Sequence, residues 1–103
     1  MKPIFDPLIH EPNRLQICGL LSGLTEAEFA VIRESLGVAD SVTSKHLKAL
    51  EEAGYVTTSK RTLSGSRPRT WVRLTRAGRR AFAGHVAELQ RLAQLSTAAV
   101  TAD

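Results

Sequence analysis

The chain has 103 residues and a mass of 11.2 kDa, which allows one domain with a single modest core. Its 43% hydrophobic and 23% charged residues are those of a globular protein, and no apolar run approaches the roughly eighteen residues of a membrane span, so wholesale disorder and a transmembrane helix are excluded. A net charge of +4 and an isoelectric point near 9.8 favour nucleic acid or an anionic surface as partner, without choosing between them.

Pro7 and Pro12 bracket Leu8, Ile9 and His10, so the chain opens as a short irregular stretch or a single helical turn. Pro12 suits the first position of a helix, where its missing N–H costs nothing. That helix is predicted to carry Arg14, Ile17, Cys18 and Leu21 on one face and to end at Ser22-Gly23. A one-residue strand is placed near Leu24. Thr25-Glu-Ala-Glu28 has the spacing of a capping box, in which Thr25 and Glu28 satisfy each other's backbone donors. The helix behind it buries Phe29, Ile32 and Leu36, and Gly37 suits a left-handed residue after its last turn. Asp40 reads as the N-cap of the next helix, residues 41–53, which stops at Gly54. Two helices joined by so short a link match the helix-turn-helix pattern.

Residues 55–59 and 70–74 are β-branched and aromatic and read as strands. Ser64-Gly65-Ser66 and Pro68 between them predict a mobile hairpin tip. Thr75 caps a final helix over 76–95, with Phe82, Val86, Leu89, Leu92 and Ala93 as its apolar stripe, and residues 96–103 read as a frayed tail. The expected fold is one domain over 1–103, mainly α with a small β-hairpin (α+β), in the order α-α-α-β-β-α: a winged helix-turn-helix.

Charge is segregated along this order. Residues 45–80 hold ten of the fourteen basic residues against Glu51 and Glu52 alone, a local charge of +8. Residues 1–44 carry three basic and six acidic residues, a sum of −3. A concentrated basic block is the electrostatic footprint of a polyanion-binding face, whereas a merely solvated surface usually mixes its signs.

Four motifs then occur in order: His10-x-x-x-Arg14-Leu15-x-Ile17, Leu36-Gly37-Val38-x-Asp40, Ser44-Lys45-His46-Leu47-x-x-Leu50-Glu51-x-x-Gly54-Tyr55, and Pro68-Arg69-Thr70-Trp71-x-x-Leu74-Thr75-x-x-Gly78. Over about residues 4–90 the chain resembles the small bacterial and archaeal winged-helix DNA-binding domains related to the MarR and ArsR transcriptional regulators. The resemblance implies a dimeric, sequence-specific transcriptional regulator with 41–53 as recognition helix and the 60–69 hairpin as wing. Thr43 departs from the pattern, since a Leu or Val usually faces the core there. A threonine can pack its methyl group in that place if its hydroxyl bonds a carbonyl one turn back.

With Leu47 and Leu50 inward, the outward face near the start of the recognition helix comprises Ser41, Val42, Ser44, Lys45 and Lys48. Lys45 can donate to guanine, Val42 can touch a thymine methyl, and the serines suit bases or phosphates. The same lysines would also suit a solvated helix face. The wing offers Lys60, Arg61, Arg67 and Arg69, with Arg67 beside Gly65 the best candidate for the minor groove. Charges on a hairpin can equally serve to suppress edge aggregation. Cations in the first turn of a helix oppose its dipole, so Arg76 and Arg79 have no local stabilising role, and Arg73 and Arg80 are equally unassigned.

Trp71 and Tyr55 read as core or wing-base residues. His10, His46 and His85 are scattered without metal-ligand spacing, with His46 near the DNA-facing edge of its helix. One cysteine, Cys18, excludes an internal disulfide and reads as a buried inert thiol rather than a redox sensor. The N-terminus reaches Asp6 without an apolar core, so no signal peptide is expected and the cytoplasm is the expected compartment. No phosphate-cradling loop, paired carboxylates or nucleophile elbow supports an enzyme, and no cofactor or metal is expected. The rival reading is a winged-helix protein-interaction module that sets its basic face on an acidic partner. A small-molecule effector is compatible with the fold but is specified by nothing in the sequence. One recognition helix covers only a few base pairs, and the stripe at Phe82, Val86, Leu89 and Leu92 is wider than a small core needs. A homodimer built from the first and last helices is therefore expected.

Overall fold

A computed structural model of the chain describes the backbone of residues 1–102 and the side chains of residues 1–96. Its elements run α1 Pro7–His10, α2 Pro12–Ser22, β1 Ala27–Glu28, α3 Phe29–Leu36, α4 Asp40–Glu52, β2 Val56–Arg61, β3 Arg69–Leu74 and α5 Arg76–Ala102. The fold is mostly helical with a small antiparallel sheet, as expected. The strands lie in the order β1-β3-β2, with Ala27 opposite Val72 and Val56 opposite Leu74.

Local chemistry explains several helix ends. Asp6 caps α1 by accepting from the Leu8 and Ile9 amides at 2.9 and 3.1 Å, with Pro7 behind it. Glu11 does the same for α2, accepting from the Asn13 amide ahead of Pro12. Gly37 closes α3 at φ +69°, a left-handed conformation in which a side chain is strained. Thr75 caps α5 by accepting from the Gly78 amide at 3.0 Å.

Four expectations fail here. The capping box does not form: α3 starts only at Phe29 and Glu28 makes no side-chain cap bond. Ala27 and Glu28 are instead recruited to β3, so the expected token strand lies there and not at Leu24. Asp40 is the first residue of α4 and not its cap; Ala39 holds the extended cap position, and the Asp40 carboxylate pairs with Arg33 at 2.9 Å across the turn. The last helix passes Leu95 and continues to Ala102. The side chains of the expected frayed tail beyond Ser96, and Asp103 altogether, lie outside the described residues.

The core gathers one side of every layer: Ile9, Ile17, Cys18, Leu21, Ile32, Leu47, Leu50, Val56, Val72 and Leu74 are all buried. Thr43 is fully buried among them, and its hydroxyl donates to the Ala39 carbonyl one turn back at 3.2 Å. Burial, reinforced by the charge of Asp6, pushes the Cys18 thiol up to about 12, which leaves it protonated and unreactive at neutral pH.

Two of the three histidines come together. His85 is fully buried in α5, its Nδ1 accepts from the Asp6 amide at 2.9 Å, and its Nε2 lies 3.1 Å from His10 Nδ1. A backbone amide only donates, so Nδ1 is unprotonated and the proton of the neutral ring sits on Nε2, facing His10. Phe5 packs at 4.8 Å against both rings. Among the described residues no three His, Cys, Asp or Glu side chains converge as metal ligands.

Two outcomes follow from this packing. A Cβ on Gly78 would stand 2.1 Å from the Tyr55 carbonyl oxygen and 2.9 Å from its carbon, and backbone cannot yield as a side-chain tip can. Gly78→Ala should therefore destabilise the fold by about 3 kcal/mol or more, read as a shift in the denaturant midpoint. Burial first, and the neighbouring His10 second, hold the His85 pKa below the ordinary imidazole value, against weaker opposing pulls from Asp6 and Glu88. On acidification the unfolded chain takes up this proton before the folded one does. Stability should thus be fully present above about pH 6.5 and fall below it, and this part of the fall should vanish in His85→Gln, measured by unfolding at a series of pH values.

Candidate nucleic-acid interface

The helix-turn-helix is α3 and α4. α4 turns Thr43, His46, Leu47 and Leu50 inward and leaves Ser41, Ser44, Lys45 and Lys48 exposed, with Val42 half-buried beside them. The outward face expected from the sequence is therefore brought together. His46 is not on its edge: it is 7% exposed and faces α2. Arg14 Nη1 donates to His46 Nδ1 at 3.0 Å, while Glu11 and the Asn13 amide lie 3.6 and 3.4 Å from Nε2. Arg14 also donates to the Leu8 carbonyl. These polar contacts fasten α4 to α1 and α2 on the side away from its exposed face. The sequence misplaces this histidine at the DNA-facing edge because its partners lie more than thirty positions away along the chain.

The hairpin divides the wing cations between two faces. Alternation along β2 and β3 places Val56, Thr58, Lys60, Thr70, Val72 and Leu74 on one face, which carries the core and meets α4. There Thr58 donates to Glu51 at 2.9 Å, and a crevice of about 290 Å³ is lined by Ser44, Lys48, Thr58 and Thr70. Arg61, Arg69, Trp71 and Arg73 lie on the opposite face, together with Glu28. Arg61 forks onto Glu26, with Nη1 at 2.7 Å from Oε1, and its guanidinium lies 5.1 Å from the Trp71 ring centre. The hydrogen bond from Arg61 holds the Glu26 carboxyl below the usual range. Arg69 approaches Glu28 at 3.6 Å. Lys45, Lys48, Lys60 and Arg67 are exposed, and none pairs with a carboxylate among the described residues. Arg67 lies at the tip, where Gly65 has φ +75° and the Ser66 amide donates to the Leu63 carbonyl at 2.9 Å. Leu63, passed over in the sequence, is 69% exposed there.

Arg79 has a local role after all: its guanidinium donates to the Ser22 and Leu24 carbonyls at 3.2 and 3.0 Å, closing the C-terminal end of α2. Along α5, Phe82 packs against the core, Val86 and Leu89 are half-buried, and Leu92 and Leu95 are 42% and 55% exposed. The radius of gyration is 16.2 Å against about 13 Å for a compact chain of this length, and the long axis measures 65 Å. A cavity of about 390 Å³ opens between the N-terminal residues and α5, lined by Ile4, Asp6, Tyr55, Ala77, Arg80 and Gly84; it assigns no effector by itself.

A family profile described as a winged helix DNA-binding domain matches residues 13–93. The chain belongs to that family. An uncharacterised protein of Methanocaldococcus jannaschii is 38% identical over 81 residues, 79% of this chain and 87% of its own length. The structure is similar to that of a transcriptional regulator homologue from Pyrococcus horikoshii, with a TM-score of 0.77 and 28% identity over 84% of this chain and 85% of that one. A protein of Enterococcus faecalis ascribed to the MarR family shares the fold at a TM-score of 0.72 and 18% identity, over 93% of this chain and 84% of its own. Family and fold are those of transcriptional regulators and not of enzymes. Among the described residues no helix is long and apolar enough to cross a membrane.

Proposed function

We propose that this winged-helix protein is a homodimeric, sequence-specific regulator of transcription that binds double-stranded DNA in the cytoplasm. α4 enters the major groove, presenting Ser41, Val42, Ser44 and Lys45 to base edges and Lys48 to the backbone. The wing lies on the minor groove or the adjoining backbone through Lys60 and Arg67, while Arg61 and Arg69 at its root, each beside a carboxylate, stay outside the contact. The observation that carries this reading is the set of exposed lysines Lys45 and Lys48 on α4 and Lys60 on the hairpin face that meets it, none with a carboxylate partner among the described residues. Unpaired cations around a fixed helix are what phosphates and base acceptors require.

The dimer reading rests on α5. A helix of 27 residues is about 40 Å long, and its exposed Leu92 and Leu95 extend the stripe of Val86 and Leu89 beyond the core. Such an extension is marginal in water unless its apolar side packs on something. A second copy would cover it and set two recognition helices on a near-palindromic site. Phe82, half-buried against its own core, contributes from the edge of this surface.

Gel shifts with random-sequence duplex at low and moderate salt test the reading directly. Binding to an acidic polypeptide with none to any duplex would turn it to a protein-interaction module. On a selected operator, Lys45→Ala should weaken binding by about 1–3 kcal/mol, nearer the lower figure, and relax preference at one base pair. Equal loss on every sequence would make Lys45 a phosphate ligand instead. Changing both Leu92 and Leu95 to Glu should give a folded monomer in sedimentation with an unchanged helical spectrum and operator affinity weakened about a hundredfold or more.

A further inference from the structure

We infer that Glu26 and Glu28 hold Arg61 and Arg69 back from DNA, so that β1 sets how much of the wing's charge is available to phosphates and thereby limits sequence-independent binding. The inference rests on the DNA-binding reading above and concerns two carboxylates with no part in the interface itself.

The register makes the arrangement necessary. Arg61 and Arg69 stand directly opposite each other across β2 and β3, and like charges in that position repel. β1 lies on the other side of β3, with Glu28 opposite Trp71, so that Glu28 shares the outer face with both arginines. Glu26 precedes Ala27 by one residue, and its two oxygens take both terminal nitrogens of Arg61. Glu28 reaches Arg69 at 3.6 Å. The Arg61 guanidinium is further fixed over Trp71 at 5.1 Å. Each arginine of this opposed pair thus has a carboxylate of its own, both from one two-residue strand and the residue before it. Lys60, next to Arg61 in the same strand, points to the other face and has none among the described residues.

The chemistry separates the two sets of cations. A phosphate that engaged Arg61 would have to displace a forked, charge-assisted carboxylate, and its own charge would meet Glu26 and Glu28. A phosphate at Lys60 or Arg67 displaces only water and counterions. In the unmodified protein, then, sequence-independent affinity comes mainly from α4, Lys60 and Arg67, and Arg61 and Arg69 add little. With the carboxylates neutralised, two more arginines become free to release counterions.

The test is a double-mutant cycle read by the salt dependence of binding to a random-sequence duplex. Glu26→Gln with Glu28→Gln should bind the duplex severalfold more tightly and steepen the plot of log affinity against log salt by about 0.9 for each freed arginine. In a background already carrying Arg61→Ala and Arg69→Ala, the same two changes should do nothing. Arg61→Ala with Arg69→Ala alone should leave the slope of the unmodified protein unaltered, a measurement that does not depend on the glutamine variants folding. A shallower slope in that arginine variant would mean the two side chains already touch phosphate and overturns the inference. A gain of equal size with and without the arginines would mark simple long-range repulsion and overturns it too, as does no gain at all. Should the unmodified protein bind no duplex, the DNA-binding reading itself falls and this inference with it; binding with a flat cycle removes the inference only.

Discussion

The backbone of Gly54 and Tyr55 is the joint on which the rest of the molecule depends. The Tyr55 amide donates to Leu50 at the end of α4, and the Tyr55 carbonyl accepts from the Thr75 amide at the start of α5. The Thr75 hydroxyl donates to the Gly54 carbonyl at 2.7 Å and accepts from the Gly78 amide. Four elements therefore meet within a few residues: recognition helix, first wing strand, second wing strand and long helix. Such closeness forbids a side chain at 78 and requires the positive φ of +78° at Gly54. The Tyr55 hydroxyl donates to Asp6 at 2.6 Å, a bond that pushes the phenol up to about 12, and Asp6 in turn caps α1 and meets His85 through its amide. The joint thus reaches the N-terminal residues as well.

Electrostatics are arranged around this frame rather than merely added to it. The basic block of residues 45–80 has three uses that net charge does not distinguish. Arg79 closes a helix end through carbonyls. Arg61 and Arg69 are engaged by acidic residues from the other half of the chain. Lys45, Lys48, Lys60 and Arg67 stand exposed. Three of the block's ten cations are thus engaged inside the fold; four of the others lie on α4 and the wing, while Arg73, Arg76 and Arg80 stand exposed on the outer sheet face and the first turns of α5.

Periodicity and helix-ending glycines made the helices, the hairpin and the inward set of Ile17, Leu47 and Leu50 legible in the sequence, because those signals are local and repeated. The role of Thr43 was legible for the same reason, since its hydroxyl partner lies four residues back. What failed involved partners far along the chain. Thr25 to Glu28 has the composition of a capping box, but β3 competes for its backbone and Arg61 and Arg69 compete for its carboxylates. Asp40 could cap α4, yet Arg33 across the turn takes its side chain. His10 and His85 meet across 75 positions, and no spacing rule within either helix marks them as neighbours. In the candidate interface the outward face of α4 could be read from helical phase alone. The division of the wing cations between two faces needed the register of β2 against β3, which depends on turn geometry at the tip.

The fold ties the two parts of the proposed interface to the core unequally. α4 is held along its length by the buried Thr43, Leu47 and Leu50, by the Arg14 and Asn13 contacts to His46, and by the Tyr55 joint at its end. The hairpin root is braced by β1, but between Arg61 and Arg69 only the turn at Leu63 to Ser66 orders the chain. A structure so graded matches the two demands of duplex recognition: base edges need donors held in a fixed register, whereas a backbone whose shape varies with sequence is better met by cations on a short flexible arm. In the proposed homodimer, α5 would carry the first demand further. Its first turn is locked to the end of the recognition helix, so the angle at which two α5 helices pack would set the distance between the two α4 helices. Half-site spacing would then be a property of the long helix, and local groove fit a property of the wing.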